Sequence, residues 1–335
     1  MPCKPAAIVF SLVFLVFSCA QAQQDTTYAE RLGFPRGAIV VILHVDDAGM
    51  SFDSNKGAEE AMDQGIASSA SVMMPCSWVP GFVHYLHDHP RTDAGLHLTL
   101  TSEWKDYRWP PVAGKSRVPG LTDPEGAMWR DVEDVIKHAT GDEVETEIRA
   151  QVEKALQMGF QPTHMDSHMG TLFASPEFIQ RYIKVGMAYK IPVMFPGGHN
   201  TLIRQQLGAT AVTLQMTKMI GQMLWKAGLP VLDDLHNESY GWKPPAGMAP
   251  STENWGRFKT QQYISSFKKL RPGITMVIMH CTDPGDYFRY ITDSGPTRQA
   301  DLKAMLSPEL KEFILKEGII ITTWRELKER RDKLN

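Results

Sequence analysis

The sequence predicts an α/β fold in a single domain, an irregular (β/α) barrel. Three observations carry that expectation. Eight strand-like runs alternate with helix-like runs along the 335 residues. Several runs are continuous, apolar and β-branched, the pattern of parallel strands covered on both faces. A separate His or Asp stands at the end of five of the eight runs, where such a barrel opens its mouth.

The elements follow in order. Lys4 precedes an apolar run from Ala6 to Phe17, too short to span a bilayer comfortably, and Ala20 and Ala22 form a small-residue cleavage site. Residues 1–22 therefore read as a signal peptide and 23–335 as the mature domain, secreted or periplasmic after cleavage. Lipid attachment at Cys19, within a "VFSC" that loosely resembles a lipobox, is the alternative. No transmembrane segment is expected. Strands are expected at Ala38–Val45, Ala67–Met74, Ala94–Leu100, Thr163–His168, Ile191–Phe195, Pro230–Leu235, Ile274–His280 and Ile319–Thr323. Amphipathic helices are expected between most of them, among them Val144–Met158, Pro176–Ala188 and Leu302–Lys316, the last two with Ser-Pro pairs that suit a cap followed by proline. Residues 101–140 break the rhythm. They are rich in Pro, Gly, Trp and charge, without a period, and read as a long insertion over the active-site face.

Composition narrows the partners. With 43% hydrophobic and 22% charged residues and a net charge of −3, the full chain has the composition of an ordinary globular protein. No Lys/Arg block points to nucleic acid or an anionic membrane. Only Cys76 and Cys281 lie beyond the leader, which reads as two buried apolar cysteines, with a single long-range disulfide as the alternative. A homodimer is left open.

The strand ends hold the chemistry. In "AIVVILHVDDAGMS" a buried strand stops at Asp46 and Asp47, adjacent carboxylates that repel each other. Helix capping is one explanation and a cation is another. On an extended strand the two side chains point to opposite sides, so one site uses both only if the chain bends there, which Gly49 permits. One carboxylate could then bind metal while its neighbour acts as a base. His97 shares a face with Gly95 and Thr99, whose small side chains leave room beside it. His164, Asp166 and His168 share one face at period two, but His164 and His168 are then roughly 13 Å apart and cannot hold one ion. Pro162 argues against the helix that would bring them together. His168 at the strand end reaches the mouth, Asp166 lies behind to orient a histidine, and His164 sits deeper as a structural residue. His280, after "GITMVIM", is a candidate general acid. Asp234 and His236 in "LDDLHNE" read either as a solvated loop or as substrate contacts, and His84, His87 and His89 read as surface residues.

These pieces, in this order, resemble the YdjC-like carbohydrate deacetylase family, which includes chitooligosaccharide deacetylases. "VDDAGMS" resembles its N-A-D-D-F-G-x-S, "GLHLTLT" its G-x-H-x-x-L, "QPTHMDSHMG" its P-T-H-x-D-S-H and "VIMHCTDPGDY" its terminal H-P-G segment. The resemblance implies a polysaccharide-deacetylase-like barrel and one divalent metal ion, with Asp47, His97 and His168 as ligands and Asp46 as catalytic base. Ala48 replaces the motif's Phe, Met169-Gly170 stand where histidines often follow, and Cys281-Thr282-Asp283 separate His280 from Pro284. The ligand types suit zinc, with magnesium as an alternative. The implied reaction removes an N-acetyl group from an amino sugar or oligosaccharide and releases acetate, with His280 protonating the amine. Trp104 and the other aromatics up to Trp129, and those near Tyr240-Gly241-Trp242, could stack on the sugar. The competing expectations are an ester or phosphoester hydrolase on the same barrel, or a weakly active sugar-binding relative.

Overall fold

The structure, a computed structural model, describes residues 26–207, 211–249 and 251–334. The expected leader lies outside the described residues. Seven parallel strands form one curled sheet: β1 (Ile39–Ala48), β2 (Ser69–Val72), β3 (Ala94–Leu98), β4 (Met165–Ser167), β5 (Asp234–His236), β6 (Gly273–Met279) and β7 (Ile320–Ile321). Their order is β4-β3-β2-β1-β6-β5, with β7 paired to β1 at Val40 and Val41. β1 is the central strand, and Val40 to Leu43 are fully buried because neighbours or helices cover both faces.

The expected strand Ile191–Phe195 does not form. Its segment meets the sheet only through the single bridges Met165↔Val193 and Pro196↔Leu232. Pro192 and Pro196 each remove a backbone donor, so a regular ladder cannot run through "IPVMFPGG". The barrel is therefore a curled sheet whose remaining side is bridged at isolated points. The expected helix Leu302–Lys316 is two helices, Gly295–Met305 and Pro308–Lys316, because Ser307 caps the second and Pro308 cannot continue the first. Helices Gly141–Gln157 and Pro176–Tyr189 form where expected, the former opened by a reciprocal Thr140–Glu143 capping box.

Residues 101–140 contain no strand, one 3-10 turn at Pro119–Leu121 and one short helix, Val132–His138. They are nonetheless packed. Trp109, Val118, Leu121 and Met128 are buried, and the buried carboxylate of Glu147 accepts hydrogen bonds from the backbone N–H groups of Val112 and Ala113 at 2.9 and 2.8 Å. Cys76 and Cys281 are both buried and unbridged. Among the described residues no helix is long and apolar enough to cross a membrane.

Candidate metal centre

The carboxyl end of β1 is distorted. Its pairing with β2 runs His44↔Ser69 and Val45↔Ala70, then resumes at Ala48↔Val72, so β1 carries one extra residue over the aspartates. Asp47 takes a left-handed backbone, φ 69°, which a non-glycine residue adopts at a cost of ~1–3 kcal/mol. This bulge answers the geometric objection from the sequence, since adjacent carboxylates on a regular strand would diverge. Here both reach the same cluster.

Three ligand atoms converge there. Asp47 Oδ1 lies 3.3 Å from His97 Nε2 and 3.4 Å from His168 Nδ1, and the two imidazole nitrogens are 3.2 Å apart. All three residues are buried. The outer nitrogens fix what these inner atoms are. His97 Nδ1 lies 2.6 Å from Asp166 Oδ1, and His168 Nε2 lies 3.1 Å from Glu103 Oε2. A carboxylate only accepts, so each outer nitrogen carries the proton and each inner nitrogen of the neutral ring presents a lone pair. Two lone pairs and a carboxylate oxygen thus face one another, and Asp47 Oδ1 has no hydrogen-bond donor of its own. Such a set suits a cation. Edges of 3.2–3.4 Å also match a tetrahedral ion with bonds of about 2.0 Å. The residues present therefore fit a divalent metal.

The electrostatics without an ion make the same point. Burial would lower the pKa of His97, yet Asp46 and Asp166 raise it well above its ordinary value. Burial likewise opposes protonation of His168, while Glu103 and Asp47 lift it to about 9. Protons do there what a metal would do. Against burial, Arg298 with the two histidines holds the Asp47 carboxyl well below the usual range. Arg298 Nη1 donates to Asp47 Oδ2 at 2.6 Å, which leaves Oδ1 turned toward the histidines.

Asp46 sits beside this group and outside it. Its Oδ1 is 3.2 Å from His44 Nε2, and its Oδ2 is 3.9 Å from both His97 Nε2 and His280 Nε2. His44 is fully buried, with Nδ1 3.0 Å from Ser69 Oγ and Nε2 2.8 Å from Asp166 Oδ2. Burial takes the His280 pKa down to about 4 despite the pull of Asp47, in contrast to the raised His44, His97 and His168. Asp301 Oδ2 accepts the His280 backbone N–H at 3.2 Å, and Asp301 Oδ1 is paired with the buried Lys259 at 2.8 Å.

The structure thus brings Asp46, Asp47, His97, Asp166, His168 and His280 together. His164 lies deeper, its ring stacked on Trp324. The space beside Gly95, read from the sequence as an approach to His97, belongs to His164, whose ring would stand 2.5 Å from a Cβ at that position. Asp234 is 1% exposed and accepts from the backbone N–H of Leu202 at 2.9 Å, so it caps a helix and is closed to a sugar. His236, at 2% exposure with its ring edge on Trp242, is closed in the same way. Trp104 is half-buried, stacked with Tyr107 and edge-on to Trp109, which is packing. His84, His87 and His89 are exposed, as expected. Sequence reasoning missed His44, Glu103 and Arg298. His44 shares a strand face with Asp46 at period two and was discoverable on that ground, whereas no local signal marked the other two.

A family profile described as YdjC-like protein matches residues 40–316. A carbohydrate deacetylase of Thermus thermophilus is 29% identical over 301 residues, covering 90% of this chain and 97% of its own length. A carbohydrate deacetylase of Thermoanaerobacter pseudethanolicus is 23% identical over 288 residues, covering 86% and 99%. Among solved structures, a protein of Enterococcus faecalis described as a candidate for cellobiose-phosphate cleavage superposes with a TM-score of 0.67 at 18% identity, covering 87% of this chain and 99% of that one. That likeness establishes the fold.

Proposed function

Because the chain belongs to the YdjC-like family, we propose that it is a metal-dependent carbohydrate deacetylase that hydrolyses an N-acetyl group on a sugar and releases acetate. The observation that carries this reading is the convergence of Asp47, His97 and His168 acceptor atoms within 3.4 Å of one another, with a further carboxylate, Asp46, alongside. Two imidazoles and one carboxylate suit zinc better than magnesium. A bound divalent ion supplies Lewis acidity toward the acetyl carbonyl and makes water more acidic.

The protein's own groups do the rest. Asp47, His97 and His168 hold the ion, Asp166 and Glu103 fix the two rings, and Arg298 fixes the remaining carboxylate oxygen. Asp46 is the base. Its Oδ2, 3.9 Å from the Nε2 of both His97 and His280, is the oxygen placed to accept the water's proton. His280, neutral at rest, stands 3.9 Å from that oxygen and relays the proton to the departing amine. The leader expected at the amino terminus would deliver the enzyme outside the cytosol.

The test is acetate release by metal-reconstituted protein from N-acetylated sugars, run beside O-acetylated sugars and a phosphoester. Metal-dependent release from the amide is the expected result. Turnover of only the ester or phosphoester would replace this reading with the corresponding hydrolase, and binding of sugar without turnover would replace it with a sugar-binding protein.

A further inference from the structure

The exposed aromatic side chains are not scattered. Among the described residues, the large hydrophobic side chains most open to solvent include five aromatics: Phe52, Trp78, Tyr240, Tyr287 and Tyr290, from 43% to 82% exposed. All five follow the carboxyl end of a strand, on the face that carries the metal centre. Phe52 follows β1, Trp78 follows β2, Tyr240 follows β5, and Tyr287 and Tyr290 follow β6. The other exposed large hydrophobics, such as Met219 and Leu315, are not aromatic. The four donor strands are consecutive in the sheet, β2-β1-β6-β5. At the spacing of adjacent strands they span roughly 14 Å, wider than one sugar ring.

The rim is also connected. The Phe52 and Trp78 rings lie 5.2 Å apart. Asp53, next to Phe52, accepts the Gly285 backbone N–H at 2.8 Å and so ties that pair to the loop bearing Tyr287 and Tyr290. Tyr240 closes the line at the catalytic group, its ring 4.8 Å from that of His280. The same loop opens onto a cavity of about 510 Å3 lined by Trp255, Asp293 and Gln299 among others. Aromatic faces interleaved with amide, hydroxyl and carboxylate groups suit a ligand with apolar faces and hydroxyl edges. Lys56 and Arg289 are matched by Asp283, Asp286 and Asp293 in this stretch, which disfavours an anionic chain. A patch of this kind beside a catalytic centre marks a binding surface.

We propose that the rim Trp78–Phe52–Tyr287–Tyr290 is an extended subsite that stacks the outer rings of a neutral oligosaccharide while the ring to be deacetylated lies against Tyr240 and His280. This rests on the deacetylase reading above and makes an oligosaccharide, not a monosaccharide, the preferred substrate.

The experiment uses the N-acetylglucosamine monomer and its β-1,4-linked tetramer as probes. Catalytic efficiency on each is measured for the metal-loaded wild type and for Phe52→Ala, Trp78→Ala and the double variant. Because both side chains protrude, the variants should fold, and their melting curves check it. The expected result is a wild-type preference for the tetramer, with the tetramer-to-monomer ratio falling about tenfold in the double variant. A ratio that does not change, or a wild type indifferent to length, overturns the proposal while leaving deacetylation standing. Tetramer binding to metal-free protein, read by titration calorimetry, separates the two readings. Binding that weakens in the double variant, without acetate release from any probe, sustains the rim and removes the deacetylase. Tetramer that binds the double variant as it binds wild type, or self-association that the double variant abolishes, assigns the aromatics elsewhere.

Discussion

Replacing Arg298 by methionine should weaken the fold and tighten the metal. Arg298 is 3% exposed, its Nη1 donates to Asp47 Oδ2 at 2.6 Å and its Nε to Ser294 Oγ at 2.8 Å. Removing one member of a buried ion pair costs ~3–5 kcal/mol, because the other charge is left behind. The lower figure applies in the stripped protein, where His97 and His168 are protonated and face the other oxygen. In the loaded protein the ion already faces Asp47, and the loss is that of the Ser294 contact and some packing, about 1 kcal/mol. By closure of the cycle, the difference of about 2 kcal/mol reappears as metal affinity, roughly 30-fold tighter in the variant. Urea unfolding of stripped and loaded protein gives the two stabilities, and competition against a chelator gives the affinity. Equal destabilisation in both states, or weaker metal binding, would show that Arg298 shapes the site and does not compete for the carboxylate.

Alanine at Asp47, His97 or His168 should each abolish stoichiometric metal, measured by elemental analysis, while His164→Ala retains it because its ring is packed on Trp324. Asp46→Asn should keep the metal and lose ~10²–10⁴ in turnover, the usual worth of a general base. A near wild-type rate would remove Asp46 from the chemistry. His280→Ala should hurt an N-acetyl substrate far more than an activated acetyl ester, whose leaving group needs no proton, and equal losses would make His280 a positioning residue. Stability should also depend on pH differently in the two metal states. His168 and His44 are raised to about 9, both against burial, the first by Glu103 and Asp47 and the second by Asp166 and Asp46. A raised pKa gives stability that is full below about 6.5 and lost as pH climbs through about 9. The metal occupies the His168 lone pair, so loaded protein keeps only the His44 contribution. Stripped protein should lose up to ~3 kcal/mol more across that window, and parallel curves would contradict the proposed ligand.

Much of this was legible in the chain because strands write their geometry at period two. That period separated His164 from His168, put Asp166 behind a histidine and left His97 pointing inward. It failed where the backbone stops being regular. The extra residue in β1 and the left-handed Asp47 decide that both aspartates share one site, and the sequence offered only Gly49 as a hint. Pro192 and Pro196 were visible, yet the apolar run around them read as a strand because hydrophobicity does not report a missing donor. Glu103 and Arg298 reach the site from 65 residues before His168 and 251 residues after Asp47, and contacts that long leave no local pattern to read.

The insertion is fastened at two points, one at the candidate metal centre and one on the helix that follows it. Glu103 orients a ligand, while Glu147 on the following helix pins the backbone at Val112 and Ala113. A loop so placed is not an interchangeable module. Protein engineers often alter specificity by exchanging the loops above a barrel while trusting the scaffold to keep its cofactor. Here an exchange that begins before Glu103 would free the His168 ring and loosen the metal along with the specificity, whereas one confined to residues 114–131 would leave both anchors in place. Residues 114–131 are thus a stretch of the insertion where specificity could be altered with both anchors left intact.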